Sequence, residues 1–188
     1  MRLFQLIKLS KKETIMKLFR EKIQLESKGG IPTYIDITPQ VRKAIADSGV
    51  STGIVTVVSP HTTCAVFYEE FAHDMDENGV ESLQHDLNNA LEKIIPKHTS
   101  ADTYIYPGEA HYQAVESWPN AAEYLPNGDR SALWNGDAHL KATVIGSSET
   151  FDVENSQLGV GTTGYIYFVD FDVTRSRTRK CSITVIGE

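Results

Sequence analysis

Apolar and polar positions recur along this chain in patterns that divide it into short elements. Leu18, Ile23 and Leu25 alternate loosely within Leu18–Glu26, and Gly29-Gly30 follows, which predicts a first strand and a turn. Tyr34–Ile37 reads as a short second strand. Thr38-Pro39 then supplies an N-cap and a proline at the first helical position, opening a helix that runs to Ser48 and that Gly49 closes. Gly53–Val58 is a β-branched run with the composition of a buried strand, ended by Ser59-Pro60. Val80, Leu83, Leu87, Leu91 and Ile94 recur at spacings of three and four, which places them on one face of a helix ending at Pro96.

Residues 96–135 show no sustained period. They hold Pro96, Pro107, Pro119 and Pro126, both tryptophans (Trp118 and Trp134) and four of the eight tyrosines. So long an irregular stretch reads either as a lid or binding loop or as a decorated surface insertion. From Asp137 onward, Asp137, His139, Lys141 and Thr143 alternate with Ala138, Leu140, Ala142 and Val144, which predicts a strand with one polar and one core face. Gly146-Ser147-Ser148 turns the chain into a strand over Thr150–Val153, and Glu154-Asn155 turns it again. Tyr165–Val173 and Lys180–Ile186 are expected to pair as antiparallel strands. Helices set among hairpin strands predict an α+β class.

Composition bounds the possibilities. At 188 residues the chain has room for one well-buried core, and the expected organisation is a single domain over 17–188. Seven Lys or Arg against two Glu in residues 1–22 make the start basic, and 1–16 is expected to be a flexible basic extension. The remainder carries 11 basic against 23 acidic residues, which argues against binding to a nucleic-acid backbone. No apolar run reaches the roughly 20 residues that span a bilayer, so no membrane span is expected. Cys64 and Cys181 are far apart among apolar neighbours and read as small buried residues of a reducing, cytoplasmic setting, with a place for Cys64 in a site left open by the polar motif before it.

Several residues carry candidate chemistry. On a strand, Asp137 and His139 would project to one side, where carboxylate and imidazole can ligate a divalent metal or simply bond each other. His61-Thr62-Thr63 follows a buried strand, where a sheet can hold reactive groups. Its hydroxyls suit an anion or water, while a structural His61 would donate to a loop carbonyl. Glu69 and Glu70 could serve as base or as partner to a histidine. His111 lies in the aromatic stretch, and Asp86 borders the apolar stripe of the long helix; His73, His85 and His98 read as surface residues. Arg175, Arg177 and Arg179 share parity with Cys181, Ile183 and Val185, which suits either an anion site or pairing with Asp170 and Asp172 across strands.

Taken together, His61-Thr62-Thr63-Cys64-Ala65, Glu69-Glu70, Asp86, Asn135-Gly136-Asp137-Ala138-His139-Leu140-Lys141-Ala142, Gly146-Ser147-Ser148 and Phe168–Asp172 with Arg175-x-Arg177 make the chain resemble the YjbQ-like family. Members of that family are described as candidate secondary thiamine-phosphate synthases. The resemblance covers about residues 17–188. It implies an α+β fold with a β-sandwich core and flanking helices, a homotrimer, and a histidine-rich pocket that holds a divalent metal, zinc or magnesium, in some members. It assigns His139, Asp137 and His111 to the metal, with Asp137 standing where the first histidine of a family His-x-His is usual. His61, Glu70 and Asp86 become candidates for catalysis, and Thr62, Thr63, Lys141, Arg175 and Arg177 for binding an anionic substrate. Gly161-Thr162-Thr163-Gly164 departs from a family Trp and Gln and is expected to alter the pocket wall. The implied activity is a transferase acting on phosphorylated small molecules; a metal-dependent hydrolase and a non-catalytic binding trimer are the alternatives.

Overall fold

Side chains that alternate inward and outward build two antiparallel sheets whose inner faces share one core. The structure, a computed structural model, describes residues 15–188, so all but the last two residues of the basic extension lie outside it. The larger sheet has the order β1 (Lys17–Ser27), β8 (Arg177–Gly187), β3 (Thr52–Val58), β5 (Ser148–Glu154), β6 (Gln157–Leu158). The smaller has β2 (Thr33–Asp36), β7 (Gly164–Asp170), β4 (Cys64–Glu70). Val55 lies opposite Val185 and Val57 opposite Ile183, and this inward set meets Val66, Ile166 and Phe168 of the smaller sheet. Helix α1 (Thr38–Ser48) closes that core with Val41, Ala44 and Ile45. The class is the expected α+β with a sandwich core.

The smaller sheet is covered on its other face as well. Ala65, Phe67, Tyr167, Val169 and Phe171 pack against Leu91 of α2 (Ser82–Ile94) and Ala138 and Ala142 of α5 (Gly136–Ile145). Burial on both faces explains why β7 reads as a continuous apolar run rather than an alternating one.

Four expectations need correction. Residues 136–145 form a helix, α5, not a strand. Its alternation is a coincidence of small residues, and its Ala, Leu and Lys are strong helix formers. Ala138 and Ala142 face the sheet, while Leu140 and Val144 face outward. Secondly, β7 and β8 are not partners: each lies in a different sheet. The Asp172 carboxylate accepts from the Thr174 backbone N–H at 3.0 Å, and this local turn carries the chain across the gap between sheets. Thirdly, 96–135 is not structureless. It contains α3 (Glu109–Glu116) and α4 (Ala121–Tyr124), and Tyr112, Val115, Leu125 and Leu133 make a small core of their own. Finally, Thr38 does not cap α1. Its backbone N–H donates to Asp36 Oδ1 at 2.8 Å, and its hydroxyl accepts from Ile166 N–H at 2.8 Å, tying the helix start to β7. Gly49 does close the helix in a left-handed conformation, as expected.

Among the described residues, no helix is long and apolar enough to cross a membrane. Cys64 and Cys181 are free and buried, and burial pushes both thiols up, away from the thiolate form.

Near the end of β4, burial and the neighbouring Glu81 charge push the Glu69 carboxyl up to about 7, and its Oε2 is buried without a partner. A carboxyl raised in the folded state contributes stability that is full below its ordinary 4.5 and is lost as pH rises through about 7. Glu69→Gln is therefore expected to raise Tm at about pH 8 and leave it unchanged near pH 4 in thermal unfolding scans; identical Tm values at the higher pH would contradict this.

Candidate functional site

The two sheets meet at one end in a set of charges rather than apolar side chains. Pro60 ends β3, and the short segment that follows is pinned from several sides. Ser59 N–H donates to Ser147 O at 2.8 Å, and Phe171 N–H donates to Thr63 O at 3.1 Å. Opposite this segment, β8 continues its inward parity into Arg179 and Arg177. Arg179 donates to Asp170 Oδ2 at 2.6 Å and to Thr63 Oγ1 at 3.0 Å. Arg177 is ion-paired with Asp172, which also accepts from Asn135 Nδ2 at 2.8 Å. Burial alone would raise the Asp172 carboxyl, but Thr174, Arg177 and Asn135 together hold it below the usual range. The expected Arg–Asp pairing is therefore real, although it spans two sheets instead of neighbouring strands.

Thr63, Asn135, Asp172, Arg177 and Arg179 form the floor of a cavity of about 330 Å³. Its roof comes from the segment that showed no period: Tyr106, His111, Val115, Trp118, Tyr124 and Leu133. This finding favours the binding-loop reading of that segment. Arg175 bridges floor and roof. Its Nη1 donates to Tyr124 O at 3.1 Å, and its guanidinium lies 5.6 Å from the Tyr124 ring centre. Among the described residues it has no carboxylate partner. Burial and the nearby Arg177 push its pKa down, but a guanidinium stays charged.

Three histidines line the same space, each with different partners. His61 Nε2 accepts from the Lys180 backbone N–H at 2.9 Å, so its proton sits on Nδ1. Burial, with Arg179 and Lys180, lowers its pKa despite Asp170. With Nε2 occupied, His61 acts as a hydrogen-bond donor and not as a base, and it accepts a backbone bond where donation to a carbonyl was expected. His139, on α5, presents its ring edge to Tyr106 at 5.3 Å between centres. Burial lowers its pKa, outweighing the opposite pull of Asp172. His111, in the first turn of α3, meets the same tyrosine from another side: its ring centre is 5.0 Å away and Tyr106 Oη lies 3.4 Å from its Nε2.

Other expected site residues lie elsewhere. On a helix, positions two apart point in nearly opposite directions, and Asp137 accordingly leaves His139. It sits 3.6 Å from Lys141 Nζ, one turn on, and Glu92 lies 3.5 Å from the same buried ammonium. Both Asp137 and Lys141 thus belong to a buried charge cluster joining α5 to α2. Glu70 ends β4 opposite Gly164, six residues or about 20 Å from the cavity end of that strand. Asp86 is exposed on α2. Gly161 and Gly164 pack around the Tyr68 hydroxyl and do not line the cavity. His98, expected at the surface, is buried: its Nδ1 accepts from Gly136 N–H at 3.1 Å and anchors the start of α5. Tyr106, Trp118, Tyr124 and Asn135 line the cavity but carried no assigned role in the sequence; the density of aromatic residues in 96–135 was the signal available for the first three, and the Asn135-Gly136 motif for the fourth.

The sequence profile described as UPF0047 protein YjbQ-like matches residues 21–188. The chain belongs to this family. A UPF0047 protein of Methanocaldococcus jannaschii is 27% identical over 174 residues, covering 93% of this chain and 97% of its own. One from Archaeoglobus fulgidus is 31% identical over 143 residues, covering 76% and 84%. Among solved structures, a YbjQ-like protein of unknown function from Sulfolobus solfataricus matches with a TM-score of 0.64 at 25% identity, over 93% of this chain and all of that one. A YjbQ/UPF0047 protein of Clostridium acetobutylicum matches with a TM-score of 0.59 at 31% identity, over 87% and 98%.

The metal implied by the family resemblance does not fit the residues assigned to it. Of His139, Asp137 and His111, only the two histidines face the cavity, and Asp137 is engaged by Lys141. The carboxylates beside the cavity are taken by arginines. Among the described residues, no group of three His, Cys, Asp or Glu is placed to hold an ion. Asp137→Ala is expected to lower unfolding free energy in urea by about 2–4 kcal/mol, by leaving Lys141 buried with one weak partner. Retained stability together with loss of a bound metal would reverse this assignment.

Proposed function

We propose that the cavity binds a small phosphorylated molecule and that the family's chemistry on it is of the transferase type. The observation that carries this reading is Arg175. Arg177 and Arg179 are neutralised by Asp172 and Asp170, whereas Arg175 faces the same cavity with no carboxylate of its own. The charge balance of the floor is positive by one, in a space partly shielded from water, which favours an anion. Thr62 and Thr63 add hydroxyls, and the tyrosines and Trp118 offer ring faces to the rest of the ligand.

The finer reading, a thiamine-phosphate synthase-like step joining a pyrimidine diphosphate to a thiazole phosphate, is supported by the family resemblance and by this cation. Diphosphate leaving from the pyrimidine needs positive charge at its oxygens, and the unpaired Arg175 guanidinium supports that reading. Proton transfer in the cavity falls to His139 and His111, since Glu70 and Asp86 lie away from it and His61 lacks a free acceptor. The metal-dependent hydrolase is the weaker reading, because its ligand set is not assembled.

Calorimetric titration with pyrophosphate tests the anion site. Arg175→Ala is expected to weaken binding about 10- to 100-fold, the loss of one or two charge-assisted hydrogen bonds. Unchanged affinity would remove the basis of the proposal. Pyrophosphate binding with no turnover of the paired pyrimidine and thiazole substrates would leave a binding protein in place of a transferase.

A further inference from the structure

A second cavity, of about 370 Å³, adjoins the His61-Thr62 segment and has no arginine in its lining. It shares those two residues with the first and is otherwise lined by Cys64, Ala142, Thr143, Gly146 and Ser147. None of these bears a formal charge. The floor is apolar, from the buried Cys64 and Ala142, and the rim is made of hydroxyls. The two cavities are thus neighbours of opposite character, one cationic and one neutral.

The second cavity is rigidly built. Gly146 adopts a φ of 109°, a conformation that side-chain-bearing residues rarely take, and its carbonyl accepts from Val66 N–H at 3.1 Å. Ser147 is held by the bond from Ser59 N–H to its carbonyl, immediately before Ser148 pairs with Val58. Its hydroxyl has no partner among the described residues. Thr143 donates its hydroxyl proton to His139 O at 2.8 Å, which leaves its oxygen to accept. His61, with Nε2 occupied by Lys180, has its Nδ1–H to donate. A fixed donor, a fixed acceptor and two adaptable hydroxyls over an apolar floor suit a neutral polar molecule, which can both donate and accept.

We propose that this second cavity is a binding subsite for an uncharged, hydroxyl- or carbonyl-bearing molecule, held beside the anion of the arginine cavity. The placement of two ligands side by side rests on the anion reading given above; the subsite itself does not. It gives the Gly146-Ser147 turn a role that the arginine cavity leaves unexplained.

Saturation-transfer NMR with D-ribose as the neutral probe and pyrophosphate as the anion separates the possibilities. The wild-type protein is expected to bind ribose with or without saturating pyrophosphate. Ser147→Trp, which fills the second cavity, is expected to abolish the ribose signal while pyrophosphate affinity stays within about twofold. Thr143→Val, a milder change that keeps the helix, is expected to weaken ribose about threefold to tenfold, the loss of one neutral hydrogen bond. Arg175→Ala is expected to lose pyrophosphate and keep ribose. Absence of ribose binding up to about 50 mM, ribose binding that survives both Ser147→Trp and Thr143→Val, or mutual exclusion of ribose and pyrophosphate would each overturn the proposal. If pyrophosphate fails to bind while ribose responds to Ser147, the anion reading falls and the subsite stands.

Discussion

Two buried carboxylates at the end of one strand hold two arginines from the other sheet, and much of this molecule follows from that clasp. Asp170 and Asp172 are only 1% and 2% exposed. Carboxylates so deeply placed are tolerated only when paired and hydrogen-bonded. Arg179 and Arg177 of β8, with Thr63 and Asn135, meet that demand from three different segments. The sheets are therefore fixed in spacing and register at this end by directional bonds, while Val, Ile and Phe fill the gap at the other. The clasp also brings the residues after β3, the start of α5 and the β7–β8 connection to one place.

Because two acidic residues neutralise two of three clustered arginines, a single guanidinium without a carboxylate partner among the described residues remains in the cavity lining. The body of the protein supplies charge and hydroxyls, whereas the 96–135 segment supplies aromatic surface and His111. Arg175 reaches from one to the other through the Tyr124 carbonyl and ring. In the proposed function an anion entering the cavity would meet Arg175 beside that contact, so one side chain would serve both the ligand and the seating of the roof.

The strands of the sandwich were largely legible in the sequence, because period-two patterns of Val, Ile and Leu are decided by burial. The helix over Gly136–Ile145 was not. Its small residues satisfy a strand period as well as a helical one, and only the propensity of Ala, Leu and Lys argued otherwise. That single misreading carried the Asp137–His139 pair with it: same side on a strand, opposite sides on a helix. His139 lines the cavity, and its supposed partner does not. The arginines were legible by parity with Cys181, Ile183 and Val185, and so was their affinity for Asp170 and Asp172. What the sequence could not convey was that the partners sit in different sheets, since the short link from Phe171 to Ser176 looks like a hairpin until the Asp172 turn is seen. His98 was missed because a lone histidine carries no pattern, and its role depends on a backbone N–H 38 residues away.

The central claim is that the space under the aromatic roof is an anion site governed by Arg175. A crystal of the protein soaked in pyrophosphate, with anomalous data collected for bound metals, tests it most directly. The account requires a phosphate group bonded to Arg175, within reach of Arg177 and Thr62, with no metal ion held between His139 and Asp137. Pyrophosphate bound only elsewhere, or an ion coordinated by that pair, would contradict it.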